Sequence, residues 1–267
     1  MAESVMVIIA HPDDESLITG TLAKLVHEGK VVTVLCATRG EVGEITDPAI
    51  ATPETLGAVR EQELGAAMQE LGVSDVRFLD YRDSGMAGTP ENDDPRALVQ
   101  AEPMEVTMDL TAIMQEVNPD VVITWDASGG YGHPDHIRVH ETATDAFNSY
   151  LMRSGRPCRL YYFALPIDLF GEMAEELRAQ GIDWGSEGIR ETAAQLNRAP
   201  ATTMVDVSGF VEQKRRAIAR HRSQMPAESP FDSLSDGLKQ RLVATEYFHR
   251  AVPAWHEGEQ QEHTLFG

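Results

Sequence analysis

The chain has 267 residues, 42% hydrophobic and 24% charged, which supplies a core and excludes a disordered polypeptide. Its 43 acidic and 22 basic residues leave a net charge of −21; that field repels nucleic-acid phosphates and anionic membranes and either favours a small neutral or cationic partner or simply keeps the chain soluble. No apolar run reaches the ~18 residues of a membrane span, and Met1, Ala2, Glu3 and Ser4 put no basic stretch ahead of the first apolar run, so no secretory signal is expected.

Residues 5–10 form a continuous apolar, β-branched run, the pattern of a strand buried on both faces of a parallel sheet. Residues 15–29 read as a helix stopped by Gly29, and residues 31–37 as a second buried strand. A helix follows over 53–71, then a strand over 76–81. Residues 84–103, rich in Gly, Pro and Asx, read as a long loop of the kind that walls or covers a site. The alternation resumes with a helix over 106–117, a strand over 120–125, a helix over 136–152 and a strand over 159–165. It implies an α/β, Rossmann-like, doubly wound and mostly parallel sheet. Residues 167–199 read as helix and loops, 204–207 as a late strand, and the stretch through Lys214 to His221 as a helix. The expected organisation is one domain over 1–267, with a core at about 4–165 and a C-terminal elaboration at about 166–267. Cys36 and Cys158 sit in apolar, strand-like runs and read as reduced, buried thiols, which points to the cytoplasm.

Ligands of open α/β sheets bind outside the carboxyl ends of the strands. Two clusters of metal-ligand residue types fall there. Ala10-His11-Pro12-Asp13-Asp14-Glu15 follows the first strand, and Gly132-His133-Pro134-Asp135-His136 follows the strand ending near Trp125. Histidine and carboxylate donors with one open position describe a catalytic zinc site, and iron(II) suits the same donors. Each feature alone has a plainer reading: Asp13-Asp14 as a helix cap, His133 and His136 as exposed residues at a helix start. The pair of clusters together favours the metal. A nucleotide-binding loop would need a Gly-x-Gly-x-x-Gly cradle where Pro12, Asp13 and Asp14 stand.

The two clusters resemble the motifs of the LmbE/PIG-L family of zinc-dependent de-N-acetylases. Thr38-Arg39-Gly40-Glu41, Arg60-Glu61-Gln62-Glu63-Leu64, Tyr81-Arg82-Asp83-Ser84-Gly85-Met86, Gly129-Gly130-Tyr131-Gly132 and His221-Arg222-Ser223-Gln224 extend the resemblance from about residue 4 to about residue 225. The flanks are most similar to the mycothiol-pathway branch, with its deacetylase and its conjugate amidase. The resemblance implies a Rossmann-like fold, with zinc held by His11, Asp14 and His136. It implies Asp13 as general base, His133 assisting from the opposite side, and Tyr131 as an oxyanion or proton-transfer group. Arg60 and Asp83 would contact sugar. Asp135 would orient His133 or His136, or cap a helix. His221 reads either as a pocket edge or partner contact, or as a solvated helix end. The implied reaction removes an N-acetyl group from an N-acetylglucosamine-type sugar or conjugate. The same residues would serve an amidase acting on a larger thiol-conjugate amide. A small N-acetylated sugar is the expected partner, without nucleic acid or membrane insertion and with oligomerisation open.

Overall fold

A computed structural model of the protein describes residues 2–164, 166–182, 200–225 and 230–267. Its strands are β1 (Ser4–Ile9), β2 (Val31–Cys36), β3 (Asp75–Phe78), β4 (Val121–Thr124), β5 (Arg159–Phe163), β6 (Thr203–Asp206) and β7 (Thr245–Val252). They form one sheet in the order β3-β2-β1-β4-β5-β7-β6. The first five are parallel, and β7 runs antiparallel to both β5 and β6. The unbroken apolar runs of β1 and β4 follow from this placement. Both are central strands, and Val5, Met6, Val7, Ile8, Ile9, Val122 and Ile123 are all fully buried.

The helices are α1 (Thr19–His27), α2 (Leu56–Leu71), α3 (Pro103–Val117), α4 (Pro134–Ser154), α5 (Ile167–Ala179), α6 (Val211–Ile218) and α7 (Asp236–Ala244). Helices α3 and α4 pack on each other and on β1, while α1, α2 and α6 form a second packed group. Strand order reverses beside β1. The chain leaves β1 toward β2 and leaves its neighbour β4 toward β5, so the carboxyl ends of these two strands open a crevice. Both motif clusters enter that crevice.

The predicted helix over 15–29 is interrupted. A 3-10 turn spans Asp14–Leu17, and α1 begins only at Thr19. Asp13 stands at φ 108°, in the left-handed region, and its side chain makes no capping bond. The second and third amides of α1, those of Gly20 and Thr21, donate instead to the buried Glu246 carboxylate of β7 at 2.9 and 2.6 Å. The Asp13-Asp14 pair is therefore not a helix cap.

Strand β7 and helix α7 were not anticipated from sequence. The inward positions of β7 include Glu246 and Arg250 beside Phe248, so its alternation carries charge where a hydrophobic pattern expects none. Glu246 is paired with Lys214 at 2.7 Å, and Arg250 with Glu262 at 2.6 Å. The expected strand over 159–165 ends at Phe163, and the expected late strand runs Thr203–Asp206. Leu165 and residues 183–199 lie outside the described residues. Cys36 and Cys158 are buried and unpaired. Burial raises both thiols, Cys158 to about 12, which leaves them inert. Among the described residues no helix is long and apolar enough to cross a membrane.

Candidate metal centre

The turn after β1 fixes Asp14 first. Its Oδ2 accepts the amides of Ala10 and His11, both at 2.9 Å, and the indole N–H of Trp125 at 3.1 Å. Burial acts to raise this carboxyl, but the charges of His136 and His11 and the bonds from His136 and the His11 amide outweigh it and hold it below the usual range. Only Oδ1 is left over. It lies 3.3 Å from His136 Nε2 and 4.0 Å from His11 Nδ1, and those two nitrogens are 3.1 Å apart.

The far side of each imidazole decides which nitrogen faces this point. His136 Nδ1 meets the Gly129 carbonyl at 3.1 Å, so it carries the proton and Nε2 keeps its lone pair. Trp125 stacks on the ring at 3.8 Å between centroids. Gly130 permits this, because at φ 70° a Cβ there would approach the indole to 2.7 Å. His11 Nε2 faces Asp135 Oδ2 at 3.1 Å and Asp83 Oδ1 at 3.4 Å, which turns the Nδ1 lone pair inward. Donor atoms ~2.0–2.1 Å from a four-coordinate zinc are themselves ~3.3 Å apart. Two ring nitrogens and one carboxylate oxygen, each oriented from behind, fit a divalent ion of that kind.

His133 sits at the start of α4, and its Nδ1 accepts the Asp135 amide at 3.1 Å. The ring proton is therefore on Nε2. Burial, then the neighbouring His11 and His136, push its pKa down to about 4, so the ring is a neutral donor. Its nitrogens also come within 4.8 Å of those of His11 and His136, but Nδ1 is already taken by the α4 backbone. The expected role of Asp135 changes: its carboxylate orients His11 and accepts the Ser84 amide at 2.9 Å, and it touches His133 only through the backbone.

Asp13 has a different environment. Arg60 Nη2 lies 3.0 Å from its Oδ1, and the same guanidinium donates to the carbonyls of Pro12 and Gly40. Gly40, at φ 64°, leaves the room that Arg60 fills. The Asp13 amide donates to Glu15 Oε2 at 2.9 Å. With 34% of its side chain exposed, Asp13 is the most accessible carboxylate of the cluster. Partial burial raises its pKa to about 6 against the opposing pull of Arg60.

The cavity beside these groups encloses about 440 Å³ and is lined by His11, Asp13, Asp83, Met86, Tyr131 and His133, among others. Arg60 and Asp83 both reach it, but both are buried and their bonds run into the protein. Asp83 Oδ1 accepts the Gly85 amide at 2.9 Å, and its Oδ2 accepts that of Val42 at 3.3 Å. Burial would raise Asp83, yet His11 holds it below its usual range. Tyr131 is 39% exposed and stands edge-on to His136 at 5.3 Å; burial raises its phenol, which stays protonated. Of the 84–103 loop, Gly85 and Met86 line the cavity. His221 is not a solvated helix end: it is buried, with Nε2 2.5 Å from Glu15 Oε1, and it lines a cavity. Trp125, Gly129 and Glu15 were not singled out from sequence. The aromatic residue directly after β4 and the acidic residue closing the first motif were the available signals.

Polar donors converging at a strand switch point, with an accessible carboxylate beside them, are the arrangement of a metal-dependent hydrolase. Residues 6–147 match the family model described as PIG-L, GlcNAc-PI de-N-acetylase. The 1D-myo-inositol 2-acetamido-2-deoxy-alpha-D-glucopyranoside deacetylase of Acidothermus cellulolyticus is 38% identical across 100% of this chain and 95% of its own length. The protein of the same name from Streptomyces scabiei is 37% identical across 98% of this chain and 88% of its own. The chain belongs to the PIG-L family. Its fold is shared with the N,N'-diacetylchitobiose deacetylase of Pyrococcus horikoshii, with a TM-score of 0.64 at 23% identity over 93% of this chain and 84% of that one. It is shared equally with a 4-carboxy-2-hydroxymuconate hydratase of Pseudomonas putida, with a TM-score of 0.61 at 18% identity over 96% and 99%. The fold alone therefore does not choose the reaction.

Proposed function

We propose that this chain is a zinc-dependent hydrolase that removes the acetyl group from an N-acetylglucosamine-type sugar or sugar conjugate. The observation that carries the reading is the meeting of His11 Nδ1, His136 Nε2 and Asp14 Oδ1 within 3.1–4.0 Å, each held from behind, next to the open carboxylate of Asp13. The names of the full-length relatives support the N-acetyl sugar as substrate. His11, Asp14 and His136 hold the metal in this reading. When bound, the metal supplies Lewis acidity, polarising an amide carbonyl and making a water more acidic.

Asp13 takes a proton from the attacking water as its oxygen bonds to the acetamide carbon. His133 donates from Nε2 to the oxygen on which charge develops, with the Tyr131 hydroxyl second. The C–N bond breaks, Asp13 returns the proton to the leaving amine, and acetate and a free glucosamine amine depart. Arg60 acts by holding Asp13 in its left-handed turn, and Asp83 by steadying His11; a sugar would meet them only where they line the cavity. We read the chain as one working unit, because β6 and β7 complete the sheet and Glu246 caps α1. The reduced thiols support a cytoplasmic location, and the net charge of −21 argues against nucleic acid as a partner.

The test is amine release from a panel of N-acetylglucosaminides, the inositol conjugate included, by zinc-loaded, iron(II)-loaded and chelated protein. Release that follows the metal is expected, and His136→Ala should lose bound metal and activity together. A full panel left intact by protein with stoichiometric metal overturns the reading.

A further inference from the structure

A second cavity of about 490 Å³ lies on the other side of Asp13. Leu17, Ile18, Phe163, Phe170, Ile218 and Leu242 form much of its wall, which is predominantly apolar. Asp13 and Gln224 line this space and the metal-side cavity alike, so the two meet at the candidate base. The volume is that of a ligand pocket.

The charged groups in this wall are mostly committed. Lys214 Nζ is held by Glu246 at 2.7 Å, and Glu246 by the amides of α1. One polar atom stands apart: His221 Nδ1 is buried and has no hydrogen-bond partner among the described residues. Glu15 takes Nε2 from the other side at 2.5 Å. Burial acts to lower the His221 pKa, but Glu15, with Asp13 and Glu63 behind it, leaves it raised, so Nδ1 carries a proton to donate. A buried donor without an acceptor is costly, which argues that a ligand oxygen satisfies it. A group hydroxylated all round, such as inositol or a second sugar, would lose its own hydrogen bonds against Phe163, Phe170 and Leu242.

We propose that this cavity binds an apolar chain carried by the substrate, with His221 Nδ1 donating to a substrate oxygen beside the chain. The proposal rests on the deacetylase reading for the identity of the sugar. An apolar chain can reach the cavity from either side of the molecule, as the acyl group of the amide or as the aglycone.

The experiment is calorimetric titration of metal-loaded Asp13→Asn protein, in which turnover is suppressed, with two series of probes. One is N-acylglucosamines from acetyl to octanoyl; the other is alkyl glycosides of N-acetylglucosamine from methyl to octyl. In one series Kd is expected to fall roughly fourfold per methylene until the cavity is full, and that series identifies the side from which the chain enters. Adding Ile218→Trp or, independently, Leu242→Trp should abolish the chain-length dependence and leave the shortest probe unaffected. Adding His221→Phe should weaken every long-chain probe several-fold. A Kd independent of chain length in both series, or a dependence that survives both tryptophans, overturns the proposal. Amine release by the wild-type enzyme separates the two readings. Release with flat affinities removes the cavity proposal alone, and chain-dependent affinity without release from any N-acetyl sugar removes the deacetylase alone.

Discussion

The two flanks of Asp13 are built on opposite principles. On the metal side, the three groups that would hold the ion are each fixed from behind: Asp14 by two amides and an indole, His136 by a carbonyl, His11 by two carboxylates. On the far side the wall is mostly hydrocarbon, with one imidazole nitrogen left over. Directional bonds place reacting atoms to a fraction of an ångström, whereas apolar walls set volume and tolerate variation. Substitutions on the first flank should therefore change rate and metal affinity steeply. Those on the second should change which substrate binds.

The largest effect is expected at the carboxylate between the flanks. Asp13→Asn keeps the size and the neighbours but cannot take a proton. Its kcat should fall by ~10²–10⁴, while metal content by elemental analysis stays at the wild-type level. Near-normal turnover with full metal would remove Asp13 as the base. Next comes Asp135→Asn. Its carboxylate touches no donor atom of the metal site, yet it sets the His11 tautomer at 3.1 Å. Metal affinity, read by competition with a chromogenic chelator, should fall by ~10–100-fold. An unchanged affinity would assign the orientation of His11 to Asp83 instead.

These two flanks were unequally legible in the sequence. The metal side could be read because β1 and β4 are buried on both faces and spell themselves as apolar runs, and because each motif stands directly after one of them. The parallel core and the convergence of His11, Asp14 and His136 on one point follow from that. The partner of Asp135 was not legible. A sequence places Asp135 beside His133 and His136, and only the strand order brings it to His11. Arg60 is similar: its distance from Asp13 along the chain hides that its guanidinium reaches back across the Gly40 turn. The far flank was obscured for another reason. It draws on α5, α6, α7 and β7, whose inward residues include Lys214, Glu246 and Arg250, so the usual correspondence of charge with surface fails there.

A smaller effect separates packing from hydrogen bonding within the metal side. Trp125→Phe preserves an aromatic surface against His136 but removes the N–H that holds Asp14 Oδ2. Two of the three donors to that oxygen remain. One lost bond of ~1 kcal/mol corresponds to a weakening of metal affinity by about fivefold, in the same chelator assay. A loss as large as that of Asp135→Asn would mean that the indole N–H, and not the backbone amides, fixes Asp14.

The smallest effect belongs to the far flank and is read as stability. His221 is buried, and although burial lowers its pKa, Glu15, Asp13 and Glu63 leave it above the ordinary value in the folded protein. A cation favoured by folding stabilises most where both states are protonated, below the ordinary histidine pKa of ~6.5, and that stabilisation is lost as pH rises through the folded value. His221→Gln should therefore melt about 2–4 °C below wild type near pH 6. The gap should close as the pH is raised above ~6.5 toward and past the raised folded value. Both proteins are compared with chelator present, so that metal binding does not enter. A gap that is constant with pH would show that His221 contributes shape alone, and that the Glu15 contact at 2.5 Å is a neutral hydrogen bond. A gap that widens with pH would reverse the sign and place a neutral imidazole in the folded state, with its Nδ1 an acceptor.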